Sequence, residues 1–168
     1  MKFGNRRGMA AAALILAFIS AACAPTFPQQ MLDKVDRNLS FKELQSDPDK
    51  YKGTWTMLAG VIVVARNTKE GTLFEVMQKP MDHSGQPLQT DDTGGRFLLF
   101  ADQFLDIAVY HPGRQLTVIG EVTGQKIQAL GEMEYRYPVI AEKSLRLWEP
   151  SAGPRFMFGV GIGVSTYH

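Results

Sequence analysis

Residues 54–66, TWTMLAGVIVVAR, limit what this chain can become more than any other stretch. The run Val61-Ile62-Val63-Val64 is stiff at χ1 and fits a pleated strand better than a helix. Trp55, Met57, Ala59, Val61 and Val63 alternate on one face, and the second half is apolar on both, so a strand covered from two sides is expected here. On that reading Trp55 and Val61 belong to the core. Gly60, with no side chain to pack, suits a bulge or sharp coil where a strand passes between the layers of a barrel. Asn67 to Gly71 is rich in turn formers and Thr72 to Lys79 reads as a returning strand, so the two form a hairpin.

Further along, Pro80 to Gly95 contains two Pro and three Gly and little apolar content, which predicts a long surface loop. Arg96 to Ala101 is a third strand. Asp102 then stands as an N-cap for DQFLDIAVY, where Phe104, Ile107 and Ala108 share one helical face, and His111-Pro112-Gly113 stops the helix. Leu116 to Gly124 is a fourth strand with Leu116, Val118 and Val122 inward. Tyr135 to Ala141 is a fifth, continued by Ser144 to Trp148, and Pro138 places it at an edge or a bulge because proline cannot donate to a ladder. Before the hairpin, Ser40-Phe41-Lys42-Glu43 has the spacing of a capping box and predicts a short helix ending before Asp47-Pro48. Five strands with one helix between the third and fourth give a mainly β domain, a small OB-fold-like five-stranded barrel.

The N-terminal region has a different character. Lys2, Arg6 and Arg7 precede the apolar run MAAAALILAFI at 9–19, and Ser20-Ala21-Ala22 lead into Cys23. These are the charged, apolar and small-residue regions of a secretory leader. Eleven apolar residues span roughly 16 Å as a helix, too short for a hydrocarbon core of about 30 Å. Cys23 is the only cysteine of the 168 residues, which excludes an internal disulfide framework and a cysteine-based zinc cluster. Its position after Ala21-Ala22 resembles the lipobox of bacterial lipoproteins, with Ser20 where that pattern usually has Leu. The resemblance implies that Cys23 carries acyl chains such as palmitate, and Ala24 after it implies export to the outer membrane rather than retention in the inner one. The chain then divides into a signal peptide at 1–22, a lipidated tether at 23–39, the barrel at 40–150 and a Gly-rich apolar tail at 151–168. Past residue 22 there are fifteen basic against seventeen acidic residues, so no dense cationic surface is present to bind nucleic acid.

The ordered pieces Pro48, Tyr51 and Gly53; Gly60-Val61-Ile62; Leu73-Phe74-Glu75-Val76 with Pro80-Met81-Asp82; Gly95-Arg96-Phe97; Leu105-Asp106; Pro112-Gly113-Arg114; Leu116-Thr117-Val118-Ile119-Gly120; Gly131-Glu132; and Tyr135-Arg136-Tyr137-Pro138-Val139 before Leu147-Trp148 resemble the Slp family of outer-membrane lipoproteins. The resemblance covers roughly residues 10 to 148. It implies an envelope protein associated with starvation or stationary phase, anchored by lipid on the periplasmic face, and without enzymatic activity.

Candidate chemistry is sparse. His83, His111 and His168 lack the spacing of a helical metal pair, and Asp82, Asp91 and Asp92 lack the alternation of a calcium loop, so neither a metal nor a cofactor beyond the lipid on Cys23 is expected. No phosphate loop or nucleophile elbow occurs. Glu75 and Arg96, on neighbouring strands, are placed for a cross-strand ion pair. With Arg136, and with Phe97 and Tyr135 as stacking faces, they also make the ligand groove that an OB-fold would carry on its second and third strands. In RFMFGVGIGV at 155–164 the bulky residues alternate with Met157 and three glycines, a strand pattern that suits an edge of its own domain, an envelope partner or lipid. Two functions are therefore expected in order: a non-enzymatic, lipid-anchored envelope protein with a structural or interaction role, and a periplasmic module binding a glycan or peptide.

Overall fold

A computed structural model describes residues 26–150. Strands β1 (Trp55–Asn67), β2 (Thr72–Lys79), β3 (Arg96–Ala101), β4 (Gln115–Leu130) and β5 (Met133–Leu147) close into a barrel in the order β1-β2-β3-β5-β4. β4 returns to pair with β1, and β3 with β5 is the parallel contact, Leu98 opposite Val139. This is the OB arrangement. Pro138 lies just before β5 joins β3, where that edge of the strand has no partner among the described residues, in keeping with its missing N–H. β4 and β5 turn through Gly131 and Glu132, and Gly131 takes the left-handed conformation (φ +63°) that a two-residue hairpin loop demands.

The interior is filled by Leu58 and Ile62 of β1, Phe74 and Val76 of β2, Phe97 and Leu99 of β3, Leu116, Val118 and Val122 of β4, and Ile140 of β5. The core face of β1 is thus the opposite of the one expected. Trp55 and Val61 are only half-buried and lie on the outer surface of the barrel. The alternation misled because that outer face is covered as well. The β2–β3 loop folds across it, with the Thr117 hydroxyl donating to the Gly85 carbonyl at 2.5 Å and Trp148 Nε1 donating to Thr117 Oγ1 at 2.9 Å. The irregularity in β1 falls between Ile62 and Val64 rather than at Gly60.

Among the described residues two helices precede the barrel, α1 (Gln29–Leu32) and α2 (Phe41–Ser46), followed by a 3-10 turn at Pro48–Tyr51. α2 starts with the expected capping box: the Glu43 N–H donates to Ser40 Oγ at 3.3 Å and the Ser40 N–H to Glu43 Oε2 at 3.0 Å. Those bonds to Ser40 hold the Glu43 carboxyl below its ordinary pKa. Leu44 on α2 is fully buried and joins the core, and Phe41 meets Phe97 with ring centroids 6.1 Å apart.

The helix expected between β3 and β4 does not form. Residues 102–110 make turns: the Ala108 N–H donates to Asp106 Oδ1 at 2.8 Å, and the N–H groups of Val109 and Tyr110 both reach the Asp106 carbonyl. An Asp in mid-segment offers the backbone this local alternative to a helical ladder. The expected apolar stripe has nothing among the described residues to bury against, with Phe104 at 69% and Ile107 at 44% exposure, while Leu105 and Tyr110 pack on the core instead.

The segment expected to be a tether is also docked from Thr26 onward. Phe27 is buried, Val35 forms a parallel bridge with Trp55, and the Asp36 N–H donates to the Trp55 carbonyl at 2.9 Å. Phe27, Leu32 and Val35 supply the apolar contacts that a free linker would lack.

Candidate functional site

Three places on the barrel gather polar or apolar groups beyond what the core needs. The first is the outer face where β2, β3 and β5 meet. Because Phe74, Val76 and Phe97 point inward, their neighbours Glu75 and Arg96 point out. Arg96 Nη1 donates to Glu75 Oε1 at 2.6 Å, and the Tyr137 hydroxyl donates to the same oxygen at 3.2 Å. The Tyr135 hydroxyl accepts from the Arg96 backbone N–H at 2.7 Å and from Gln45 Nε2 of α2. The two tyrosine rings meet edge-on with centroids 4.6 Å apart. The hydrogen bond to Glu75 raises the Arg96 pKa above its usual value. Burial first, then the Glu75 charge, raises that of Tyr137, which therefore stays a neutral donor.

Of the five groove residues read from the sequence, the structure brings together Glu75, Arg96 and Tyr135. Phe97 is wholly inside and offers no stacking face. Arg136 turns away, its Nη1 donating to the Ser46 carbonyl at 2.7 Å. Tyr137 was missed, although its period-two relation to Tyr135 put both on one face. The chemistry of this cluster is that of a brace: its acceptors and donors meet one another, and it holds no nucleophile beside a base.

The second place is a cleft of about 710 Å³ between the β2–β3 loop, the turn before β4 and the end of β5. Lys79 lies in its wall, 7% exposed, with Nζ donating to the Thr90 carbonyl at 2.7 Å. No carboxylate of the described residues lies within 4 Å of that ammonium. Arg114 and Gln115 also line the cleft, and Arg114 Nε and Gln115 Oε1 are buried without a hydrogen-bond partner. The rest of the Arg114 guanidinium holds the carbonyls of Val109 and Trp148. A buried donor and a buried acceptor on residues lining one cleft, each without a partner among the described residues, are costly unless something fills them.

The third is a groove of about 760 Å³ between the docked N-terminal segment and the β2–β3 loop. Phe27, Leu32, Val35, Leu39, Met57 and Met81 make it largely apolar, with Arg37, Asp82 and His83 around them. Asp82 is committed to the loop itself, accepting from Ser84 Oγ at 2.6 Å and from the N–H groups of Ser84 and Gln86, and these bonds, Ser84 foremost, lower its pKa. Asp91 and Asp92 are exposed and apart from it. Among the described residues no group of three or more His, Cys, Asp or Glu is arranged to hold a metal. Cys23, His168 and residues 155–168 lie outside the described residues.

The family model described as the outer membrane lipoprotein Slp family matches residues 21–158. The uncharacterized lipoprotein YeaY of Escherichia coli strain K12 is 27% identical over 125 residues, covering 74% of this chain and 59% of that relative. The chain thus spans about three-fifths of the length of the curated relative it matches. Among solved structures, the small single-stranded DNA-binding protein from Streptomyces coelicolor is similar with a TM-score of 0.37 and 12% identity, over 56% of this chain and 94% of that one. A likeness of that size carries no argument about function.

Proposed function

Since the chain belongs to the Slp family of outer membrane lipoproteins, we propose that acyl chains on Cys23 hold its barrel on the periplasmic face of the outer membrane, where it has a non-enzymatic, structural or interaction role. The observation that carries this reading is the extent of the family match, which begins at residue 21 and takes in Ala21-Ala22-Cys23 together with the whole barrel. Physical chemistry supports the anchor. One acyl chain binds a membrane marginally, but the contributions of several chains add at about 0.8 kcal/mol per buried CH₂. An association with starvation or stationary phase, and an envelope partner engaged by residues 155–168, belong to the same proposal.

Growth with labelled palmitate tests the anchor. The wild type is expected to incorporate label and to pellet with the outer membrane, and Cys23→Ser to do neither. An unlabelled wild type refutes it.

A second reading, a periplasmic module for a glycan or peptide, is favoured by the cleft beside Lys79. Arg114 Nε and Gln115 Oε1 are a donor and an acceptor, the complement of the C=O and N–H of an amide. Calorimetric titration with acetylated glycan fragments and short peptides separates the readings, because this one requires saturable binding that Gln115→Met abolishes.

A further inference from the structure

We propose that the apolar groove under the N-terminal segment shelters an acyl chain carried by Cys23, an inference that rests on the acylation proposed above. Three observations lead there. The apolar part of the groove wall is Phe27, Leu32, Val35 and Leu39 from the N-terminal side and Met57 and Met81 from the barrel and its loop, in a groove of about 760 Å³ that is open to solvent. Apart from Phe27, which is buried, each of them is only half-buried, so they keep surface to cover. Finally, the chain is pinned at the edge of this groove at its first described residue: Thr26 lines it, Thr26 Oγ1 donates to the Ser84 carbonyl at 2.9 Å, and Phe27 next to it is 2% exposed.

That pin decides the occupant. Cys23 precedes Thr26 by three residues, and three residues of extended chain reach roughly 10 Å at most. A lipid on Cys23 is therefore held beside the groove at a high effective concentration, an advantage that a free lipid or a second molecule lacks. The surroundings fit an acyl chain entering from the outside, with Arg37, His83 and Ser84 as polar neighbours and methionines, which adapt their shape, on the barrel side. In the membrane the chains lie in the bilayer. Away from it, the groove gives one of them somewhere other than water to go.

The test uses the full-length protein made in cells fed a diazirine-bearing palmitate, purified in mild detergent and irradiated. Peptides crosslinked within one chain are mapped by mass spectrometry. Crosslinks from the Cys23 lipid to the peptides holding Leu32 and Val35, or Met57, or Met81 are expected, and Met57→Asp should lose them. If Met57→Asp lowers the melting temperature, Met81→Glu in the loop replaces it, with the same expected loss. Label on Cys23 whose crosslinks go to detergent or to a second copy and never to the groove overturns this inference and leaves the acylation standing. The same protein in phosphatidylethanolamine–phosphatidylglycerol vesicles should crosslink less to the groove and more to lipid; groove crosslinks that survive Met81→Glu unchanged would also overturn it. Absence of label on Cys23 removes the occupant and defeats both readings.

Discussion

The backbone carbonyl of Met77 on β2 occupies the space that a β-carbon on Gly60 of β1 would need, and Val76 Cγ1 stands 2.7 Å from the same point. Gly60 is paired on both sides, with Gln78 of β2 and Leu116 of β4, so neither neighbour can retreat without opening the barrel. Its φ is not in the left-handed region, so the requirement is for space and not for conformation. Gly60→Ala is expected to destabilise by about 1 to 3 kcal/mol, the usual cost of overpacking. A urea midpoint equal to that of the wild type would mean that β1 and β2 do not approach so closely.

The two faces of β1 give a sharper comparison. Ile62 is 1% exposed and inside the barrel, whereas Val61 is half-buried on the outside. Ile62→Ala should cost about 2 to 5 kcal/mol through lost burial and a cavity, and Val61→Ala less than about 1.5 kcal/mol, because its site can relax toward solvent. Equal losses from the two would put the strand in the other register.

How much of this was legible in the sequence follows from where one residue decides and where several compete. The hairpin of β1 and β2, the bounds of β3 and the inward set Leu116, Val118 and Val122 of β4 were readable because period two and turn residues agree there. The core face of β1 was not, since both of its faces are apolar and only the fold of the β2–β3 loop over Met57 decides between them. In 102–110 a helical stripe competes with Asp106, and the local bond to Ala108 prevails because no core surface waits for Phe104 and Ile107. Docking of residues 26–39 rests on single contacts far apart in sequence, such as Thr26 with Ser84, which no local pattern carries. In the candidate cluster, the Glu75–Arg96 pairing was readable from adjacent strands, but Phe97 needed the inward phase of β3 to be known.

That ion pair is measurable. The Arg96 and Glu75 side chains are 31% and 21% exposed, so water screens the pair and a modest coupling is expected. A double-mutant cycle with Glu75→Gln and Arg96→Met should give a coupling of about 1 kcal/mol that shrinks in high salt. Tyr137→Phe should weaken it further by removing the hydroxyl that shares Glu75 Oε1. A coupling indistinguishable from zero at low salt would make the pair incidental to stability.

Glu142 acts on stability in the opposite sense to the other shifted carboxylates as the pH changes. Burial raises its pKa, opposed by a hydrogen bond from Gln103 and aided by the nearby Asp102. A carboxyl whose pKa is higher in the folded state favours folding while it is protonated. That contribution is present below the unfolded pKa, near 4.5, and is lost as pH rises through the folded value. Glu43, Asp49 and Asp82 act in the opposite sense: hydrogen bonds from Ser40, Lys52 and Ser84 lower their pKa values, so their contribution is present at neutral pH and is lost as pH falls through the folded values. Glu142→Gln keeps an acceptor for Gln103 and removes the charge. It should raise the stability at pH 7 by less than about 1 kcal/mol, given the screening at a partly exposed site, and leave the stability at pH 4 nearly unchanged. Thermal melts of both proteins between pH 4 and pH 8 check this, and a gain that is the same at the two ends would show that the effect is packing and not charge.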